Sequence, residues 1–350
     1  MITIQDIAQK AKVSSGTVSR VVNNLDHVKP ATRERVQKII KEMGYVPDRA
    51  AINLAKRNTR RTRNKQRSVK SRNIGFFYWE KYVKNIALEL VYSSLLEGVQ
   101  RYFQNTNHLL HTFMIPEEFN LKSIVQNVKK NKMDGIILVG EIPQSFIRHL
   151  EDNGVPSTHF GSSSVYAKNS TIVTSDNFHG GYKATMYLVS QGHRRIGFVD
   201  DTRMKSAFGE RKRGYMIALI ESDIDFRKEY CLRLDKGIES GYKAMRDFMK
   251  LPQPPSAIFC AHDEAAYGVL KYCSENNIHV PGELSVVGFD DSYARYCNPA
   301  LTTIRQPLLK TGKVVASELM SAITEKDYIV RKILFDLELI IRDSAAKRMD

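Results

Sequence analysis

The sequence predicts a chain of two parts, in which an all-α module at the N terminus precedes an α/β body of two doubly wound parallel sheets. First, 350 residues exceed the length of an ordinary single domain. Second, residues 1–72 carry 18 Lys and Arg against 5 Asp and Glu, a net charge of +13, whereas residues 73–350 carry 35 against 33. Third, apolar residues recur at helical spacing in the first part, while short apolar runs alternate with amphipathic stretches in the second.

Two short helices open the chain. Apolar residues at positions 4, 7, 8 and 11 form the stripe of a helix over residues 4–11, and Thr3 is placed to cap it. A tight turn with Val13 buried follows, and Ser14 caps a second helix that turns its valines at 18, 21 and 22 inward. This spacing is that of a helix-turn-helix.

The outward face of the second helix is suited to nucleic acid. It consists of short polar groups and one long cation, which match base edges and phosphates: Ser15, Gly16, Thr17, Ser19, Arg20 and Asn23. A third helix begins at Pro30, and its apolar residues at 36, 39, 40 and 43 close a three-helix core before Gly44 ends it. Residues 1–46 are therefore predicted to be a helix-turn-helix headpiece that binds DNA.

The stretch TIQDIAQKAKVSSGTVSRVVNNLDHVKPATRERVQKIIKEMGYVPDRAAINLA resembles the headpiece of the LacI/GalR family of transcription regulators along its whole length. The resemblance implies that residues 47–57 form a hinge helix whose Leu54 wedges into the minor groove, where an apolar wedge kinks a base step. Together with the outward face, it gives the residues expected to contact DNA: Thr3, Ser14, Ser15, Gly16, Thr17, Ser19, Arg20, Asn23, His27, Tyr45, Ala51, Asn53 and Leu54.

Two positions depart from the family's pattern. Lys12 stands at a turn position where the family usually has Gly, so we expect backbone strain on the order of 1 kcal/mol there. The pair that begins the recognition helix, Ser15 and Gly16, offers few groups for reading bases. The operator sequence therefore does not follow from this chain.

A basic segment joins the two parts. Residues 56–72 hold nine Lys and Arg and no acid, a composition too polar to pack, and residues 58–72 of it are the predicted linker. The LacI/GalR family normally has only a few residues here. The segment either adds phosphate contacts or is a solvated spacer or proteolysis site, and we favour DNA contact because it adjoins the hinge.

From residue 73 onward the pattern is that of a doubly wound α/β protein. The strand-like runs are IGFFYW, GIILVG and STIVTSDN in a first round and RIGFVD, SAIFCA and LSVVGFDD in a second, with amphipathic helices between them. Two rounds predict two subdomains that face a cleft, residues 73–190 with 304–330 and residues 191–303 with 331–346. Ligands of open α/β sheets bind at the carboxyl ends of the strands, so the cleft is the expected ligand site.

Five phrases of the body resemble the regulatory domain of the same family, which is similar to periplasmic sugar-binding proteins: VTSDNFHGGYKATMYLVSQGHRRIGFVD, ERKRGY, VPGELSVVGFDDS, NPALTTIRQP and LELIIRDS. Residues 73–346 are therefore expected to form a periplasmic-binding-protein-like domain for effector binding and dimerisation. By this resemblance, Arg211 holds ligand hydroxyls and Asp290 accepts hydrogen bonds from them. A guanidinium that only donates and a carboxylate that only accepts suit a polyol.

Three further residues are assigned to effector binding. His262 stands where the family commonly has Asn, and Lys236 stands near the place where an aromatic side chain often stacks on the sugar. A cation at that place points to a sugar phosphate or uronate as effector, with the alternative that Lys236 faces solvent. Trp79, at the end of the first strand of the body, either stacks on a ligand ring or belongs to the core.

The resemblance implies a homodimer that binds a pseudo-palindromic operator in double-stranded DNA. It further implies a repressor of a carbohydrate-utilisation operon under allosteric control by a sugar or sugar-derivative effector. A transcription activator of the same family and a cytosolic sugar-binding protein without a regulatory role are the alternatives.

Other classes of protein are disfavoured by the sequence. Catalysis is not expected, because GxSxG, Walker, HExxH and GxGxxG signatures are absent. The four cysteines lack metal-ligand spacing and are interpreted as small core residues, so neither a metal nor a cofactor is expected. Without a signal sequence or an apolar run of about 18 residues, the expected location is the cytoplasm, with no membrane partner.

Overall fold

A computed structural model describes residues 3–22, 28–44, 72–79, 86–116, 118–161, 166–202, 205–234 and 237–348. The chain divides into two compact units, Met1–Lys70 and Ser71–Asp350. The first unit holds the headpiece, and the second is the α/β body. The predicted hinge helix, and the basic linker up to residue 71, lie outside the described residues.

The headpiece contains three helices, α1 (Ile4–Ala11), α2 (Ser15–Val22) and α3 (Pro30–Met43), as the apolar spacing predicts. The Thr3 hydroxyl accepts a hydrogen bond from the Asp6 amide, and the Asp6 carboxylate accepts one from the Thr3 amide at 2.7 Å, which completes a capping box. Buried apolar residues of all three helices form one core: Ile7, Ala8, Ala11, Val18, Val21 and Val36. The predicted helix-turn-helix is confirmed.

The turn between α1 and α2 contains the unfavourable backbone expected at Lys12. Lys12 has φ 49° and ψ 49°, the left-handed conformation, and its amide is directed at the carbonyls of Ala8 and Gln9. A side chain at such a position costs on the order of 1 kcal/mol relative to Gly. At the end of α3 the same conformation falls on Gly44, with φ 63°, which adopts it without this cost.

Sheet one of the body has six parallel strands. They are β1 (Asn73–Trp79), β2 (Leu109–Ile115), β3 (Gly135–Gly140), β4 (Ser157–Gly161), β5 (Thr171–Ser175) and β11 (Lys332–Phe335). Their order across the sheet is β11-β5-β4-β3-β1-β2. The associated helices are α4 (Ile86–Phe103), α5 (Leu121–Lys130), α6 (Gln144–Asp152) and α11 (Leu308–Thr324). Strand β3 is buried at every position, as a continuous apolar run predicts.

Sheet two also has six strands. They are β6 (Ile196–Asp201), β7 (Cys231–Leu234), β8 (Ala257–Cys260), β9 (Ser285–Asp290), β10 (Thr302–Arg305) and β12 (Glu338–Ile340). Their order is β12-β10-β9-β8-β6-β7, and all neighbours are parallel except β10 and β12. The associated helices are α7 (Asn177–Ser190), α8 (Lys205–Glu221), α9 (Ile238–Phe248) and α10 (Asp263–Glu275).

The chain crosses between the two sheets three times, after β5, after β10 and between β11 and β12. Two predicted subdomain boundaries differ from these crossovers. Helix α7 was expected in the first subdomain, but its small residues let it pack on the second, where Gly180 lies against Phe289 and Leu337. Strand β11 was expected in the second subdomain, but it pairs with β5 in sheet one.

Helices α7 and α8 approach each other closely at a pair of glycines. A Cβ built on Gly181 would lie 2.2 Å from the carbonyl oxygen of Arg211, and one built on Gly214 would lie 2.1 Å from that of Phe178. No side chain fits at either distance, so glycine is required at both positions. The contact fixes the backbone of Arg211 against α7.

Three of the four cysteines are buried, as expected for small core residues. All four are free, and Cys260, Cys273 and Cys297 are buried, whereas Cys231 is half-buried. No helix in the described part of the chain combines the length and the apolarity that crossing a bilayer requires.

Candidate nucleic-acid interface and ligand cleft

The recognition face of α2 is exposed at its first turn. Ser14, Ser15, Gly16 and Arg20 are exposed, and Thr17 and Ser19 are half-buried. The Ser14 hydroxyl accepts a hydrogen bond from the Thr17 amide at 3.2 Å, which caps the helix as predicted. Small side chains at a helix N-terminus leave its partial positive charge accessible to a phosphate or a base acceptor.

Part of the expected DNA interface lies outside the described residues. This concerns six residues, Asn23, His27, Tyr45, Ala51, Asn53 and Leu54. Thr3 is described and exposed, but its hydroxyl takes part in the capping box of α1. The contacts of these seven residues with DNA stay predictions, as do those of the six described residues of the recognition face.

Arg72, counted with the basic linker, belongs to the body instead. Its guanidinium lies 3.3 Å from the Asp134 carboxylate, and its amide donates a hydrogen bond to His108 Nδ1 at 3.1 Å. Its carbonyl oxygen accepts a hydrogen bond from the Leu109 amide. Because Arg72 is held by this ion pair, the linker cations available for phosphate contacts are the eight within residues 56–71.

A small cleft lies between the two sheets of the body. The residues around it come from the carboxyl ends of strands in both sheets and from α4, α7 and α8, as predicted for a ligand site in this fold. They are Val91, Tyr92, Gly140, Phe160, Gly161, Thr174, Ser175, Asn177, Ala207, Phe208, Arg211, Asp290 and Gln306. The structure thus brings Arg211 and Asp290 together, as the resemblance implies.

The Arg211 guanidinium is fixed from several sides. Its Nε donates to the Asn177 side-chain oxygen at 2.9 Å, its Nη1 donates to the Ala261 carbonyl, and its Nη2 lies 3.4 Å from Asp290 Oδ1. The guanidinium carbon also lies 3.5 Å from the centre of the Phe289 ring, a cation–π contact. Burial lowers the pKa of Arg211, and the nearby carboxylates of Asp290 and Asp263 oppose this shift.

Asp290 is oriented by a hydrogen-bonded chain that reaches the crossover after β5. Gln306 Nε2 donates to Asp290 Oδ1 at 2.6 Å, and the Ser175 hydroxyl donates to Gln306 Oε1 at 2.5 Å. Asp290 itself has φ 109°, a backbone conformation unfavourable for a residue with a side chain. This strained turn at the end of β9 places a carboxylate in the cleft.

The turn after β9 is stabilised by buried ionic and hydrogen-bonded groups. Asp291, the next residue, accepts hydrogen bonds from Arg305 and Arg342, both at 2.7 Å. The Asp263 carboxylate accepts from the Thr303 hydroxyl at 2.7 Å and from the Ser292 amide at 3.0 Å. Burial raises the pKa of Asp263 well above its ordinary value, and the neighbouring Asp290 raises it further.

Three expected effector residues have different outcomes. His262 is 2% exposed, caps α10 by accepting from the Ala265 amide, and stacks on Phe208 with ring centres 5.2 Å apart, so it supports a cleft residue from behind. Trp79 is 3% exposed and packs edge-on against Phe119 at 4.6 Å in the core of sheet one, which is the alternative to the cleft that the sequence left open. Lys236 lies outside the described residues.

Several cleft residues were not predicted from the sequence. Ser175 is the last residue of β5, and Gln306 directly follows β10. The rule that ligands bind at strand ends could therefore have identified both. Phe208 lies three residues before Arg211 on α8, on the same helix face, which is also a readable signal. Phe160 carries no such signal, because an aromatic residue in a buried strand is as typical of a core.

Two protein-family descriptions match the chain. Residues 3–48 match "Bacterial regulatory proteins, lacI family", and residues 185–345 match "Periplasmic binding protein-like domain". The probable HTH-type transcriptional repressor ExuR of Bacillus subtilis is 30% identical over 350 residues, which cover 99% of each chain. The HTH-type transcriptional repressor CytR of Escherichia coli is 31% identical over 344 residues, 98% of this chain and 96% of that protein.

The fold is that of solved regulators as well. A complex of the transcriptional regulator CelR with cellobiose superposes with a TM-score of 0.71 at 27% identity, covering 98% of this chain and all of that one. These relatives are transcriptional regulators rather than enzymes. With its helix-turn-helix headpiece and its two-sheet body, the chain belongs to the LacI family and is a DNA-binding transcriptional repressor.

Proposed function

We propose that the protein represses genes for the use of a carbohydrate and that the carbohydrate or a derivative of it is the effector, bound in the cleft. The buried Arg211 and Asp290 pair at the end of the sheets carries the proposal. Sugar hydroxyls need both donors and acceptors, which Arg211 and Asp290 supply, and the rings of Phe160 and Phe208 offer apolar faces for the sugar ring. The similarity to a regulator solved with cellobiose supports this class of ligand.

The active form is proposed to be a homodimer on a pseudo-palindromic operator. Large apolar side chains are exposed on the outer strand of sheet one, where Leu109 is 56% and Met114 is 51% exposed, and in the short 3-10 helix after β9, where Tyr296 is 80% exposed. Apolar surface of this kind is suited to a second copy of the chain. A dimer presents two recognition helices to two half-sites, which one headpiece cannot do.

Control of DNA binding follows from the position of the cleft between the subdomains. A ligand that contacts both sheets binds one arrangement of the subdomains better than others and shifts the population toward it. By linkage, an inducer binds the DNA-free form more tightly, and a corepressor binds the DNA-bound form more tightly. The sign of this coupling is measured by the titration described next.

The first experiment is a binding titration of the full chain against DNA fragments from its own genomic neighbourhood, at one fixed salt concentration. The panel of ligands contains neutral sugars, sugar phosphates and uronates. We expect selective binding to a palindromic fragment and a change in affinity with one class of sugar. Uniform binding that no sugar changes would refute control by a carbohydrate.

Matched variants separate the two sites in the same titration. Arg211→Ala should abolish the response to the sugar while sugar-free DNA binding stays. Arg20→Ala should weaken DNA binding while calorimetry still detects the sugar. If acidic sugars bind and neutral ones do not, the effector is anionic, as the presence of Lys236 suggests; the reverse result would exclude that hypothesis.

A further inference from the structure

Glu141 connects the two subdomains across the cleft. It directly follows β3 of sheet one, and its carboxylate oxygen Oε1 accepts two hydrogen bonds from Ser206 at the start of α8, the helix after β6 of sheet two. The Ser206 amide lies at 2.6 Å and the Ser206 hydroxyl at 2.7 Å from this oxygen. Both residues are half-buried. This contact joins a strand end of one subdomain to a helix N-terminus of the other.

The chemistry of the contact favours a strong interaction. The first amides of a helix have no acceptor within the helix, and its N-terminus carries a partial positive charge. A carboxylate at this place makes charge-assisted hydrogen bonds, which are stronger than neutral ones. The position of Glu141 is also fixed, because Gly140 turns the chain with φ 107° and Ile142 is 5% exposed in the core of sheet one.

The contact lies far from the crossovers at which the subdomains can hinge. In sheet one, β3 is two strands from β5, roughly 10 Å at the usual strand spacing. In sheet two, β6, which precedes α8, is three strands from β10, roughly 14 Å. A small rotation at the crossovers therefore produces a displacement at Glu141 and Ser206 large enough to break both hydrogen bonds.

The cleft extends between the crossovers and this contact. At one end it is lined by Ser175 and Gln306 beside the crossovers, and at the other by Gly140 and Ala207, the neighbours of Glu141 and Ser206. We propose that Glu141 and Ser206 form a latch that stabilises the closed arrangement of the subdomains and must open for the effector to enter or leave. Its effect on the effector rests on the proposed function, whereas the latch itself does not.

The latch is tested without any ligand by hydrogen–deuterium exchange of the full chain. In Glu141→Ala, amides at the start of α8 should exchange about tenfold faster, on the scale of one charge-assisted hydrogen bond. Small-angle scattering should show a larger radius of gyration. Glu141→Gln, which keeps an acceptor oxygen, should restore part of the protection. Glu118→Ala, an exposed glutamate of the same subdomain, is the control and should change neither quantity.

A double-mutant cycle shows whether the effect belongs to the pair. Ser206→Ala should accelerate exchange in the wild-type background and have no further effect in Glu141→Ala. Additive effects, or wild-type exchange and radius of gyration in Glu141→Ala, would overturn the latch.

The effector is examined separately, with the panel of sugars described above. For a sugar that binds, both the association and the dissociation rate constants should rise in Glu141→Ala, and unchanged rate constants would overturn the role of the latch in effector entry. If no sugar binds but exchange at α8 responds as expected, the latch stands and the carbohydrate proposal fails.

Discussion

The role of Arg211 in the cleft depends on its shape as well as its charge, because each nitrogen of its guanidinium has a defined partner. Arg211→Lys keeps the charge but cannot reach Asn177, Ala261 and Asp290 together, since an ammonium is a single point on a flexible stem. We expect the affinity for the effector to fall at least about tenfold, the loss of one charge-assisted hydrogen bond. Calorimetry measures it, and Arg213→Lys, exposed on the same helix, should bind normally.

His159 makes the stability of the body depend on pH. It is 3% exposed on β4, and burial lowers its pKa from 6.5 to about 3. Because the folded state disfavours the protonated ring, stability is unaffected above pH 6.5 and is lost as the pH falls from 6.5 toward 3. A pKa shift of this size corresponds to a loss on the order of 5 kcal/mol in the free energy of unfolding once the pH is below 3.

The measurement for His159 is urea unfolding at several pH values. His159→Gln cannot titrate, so its free energy of unfolding should vary less between pH 6.5 and 3 than that of the wild type. The same substitution at His279, which is exposed, should leave the pH dependence unchanged. Parallel curves for the wild type and His159→Gln would contradict this assignment.

At the scale of elements, the close contact of α7 and α8 fixes both the packing and the ligand site. Gly181→Ala places a methyl group against the backbone of Arg211, so α8 must shift. We expect a loss of about 1–3 kcal/mol in the free energy of unfolding, the usual cost of overpacking, together with weaker effector binding. Gly209→Ala, on α8 with open space around its Cβ, should instead stabilise the chain by roughly 0.5–1 kcal/mol. Equal effects of the two substitutions in thermal unfolding would contradict the close-contact argument.

The turn of the helix-turn-helix offers a stabilising substitution. Because Lys12 has φ 49°, Lys12→Gly should stabilise the headpiece by about 1 kcal/mol, whereas Lys12→Ala, which also removes the charge but keeps a Cβ, should not. Hydrogen–deuterium exchange of the α1 amides in the full chain measures the difference. Equal protection in the two variants would mean that the turn is not strained.

The headpiece was predictable to the residue because its signals are local. Thr3, Ser14, Pro30 and Gly44 each begin or end a helix through groups within three or four residues along the chain. The placement of α7 was not predictable in this way. Its small residues indicate a close contact with another helix, but they do not indicate on which of the two sheets α7 packs. For Trp79 the sequence left the cleft and the core open, because a large aromatic residue at a strand end suits both equally well.

At the scale of the whole molecule, the two parts of the chain differ in net charge and therefore in how strongly salt affects binding. The body is nearly neutral, with 35 basic against 33 acidic residues over residues 73–350, and its cleft depends on buried pairs such as Arg211 and Asp290. Such pairs are little screened by salt. The first 72 residues carry a net charge of +13, so DNA binding should respond strongly to salt while effector binding should not.

This difference allows a test of the basic linker. Replacing four of its arginines, at positions 60, 61, 63 and 67, by Gln removes four charges. If these cations neutralise phosphates, the slope of log K against log salt should decrease by up to about 3.6, from roughly 0.9 per contact on duplex DNA. Operator and non-specific affinity should fall together, because phosphate contacts do not read sequence.

The control for the linker is a variant with the same net charge. Lys130, Lys168, Lys250 and Lys326 are exposed on the body, and their replacement by Gln also removes four charges. If only net charge mattered, both variants would change the slope equally; if the linker contacts DNA, only the linker variant changes it. A linker variant with the wild-type slope would show that the segment is a spacer, and the excess positive charge would then act through the headpiece alone.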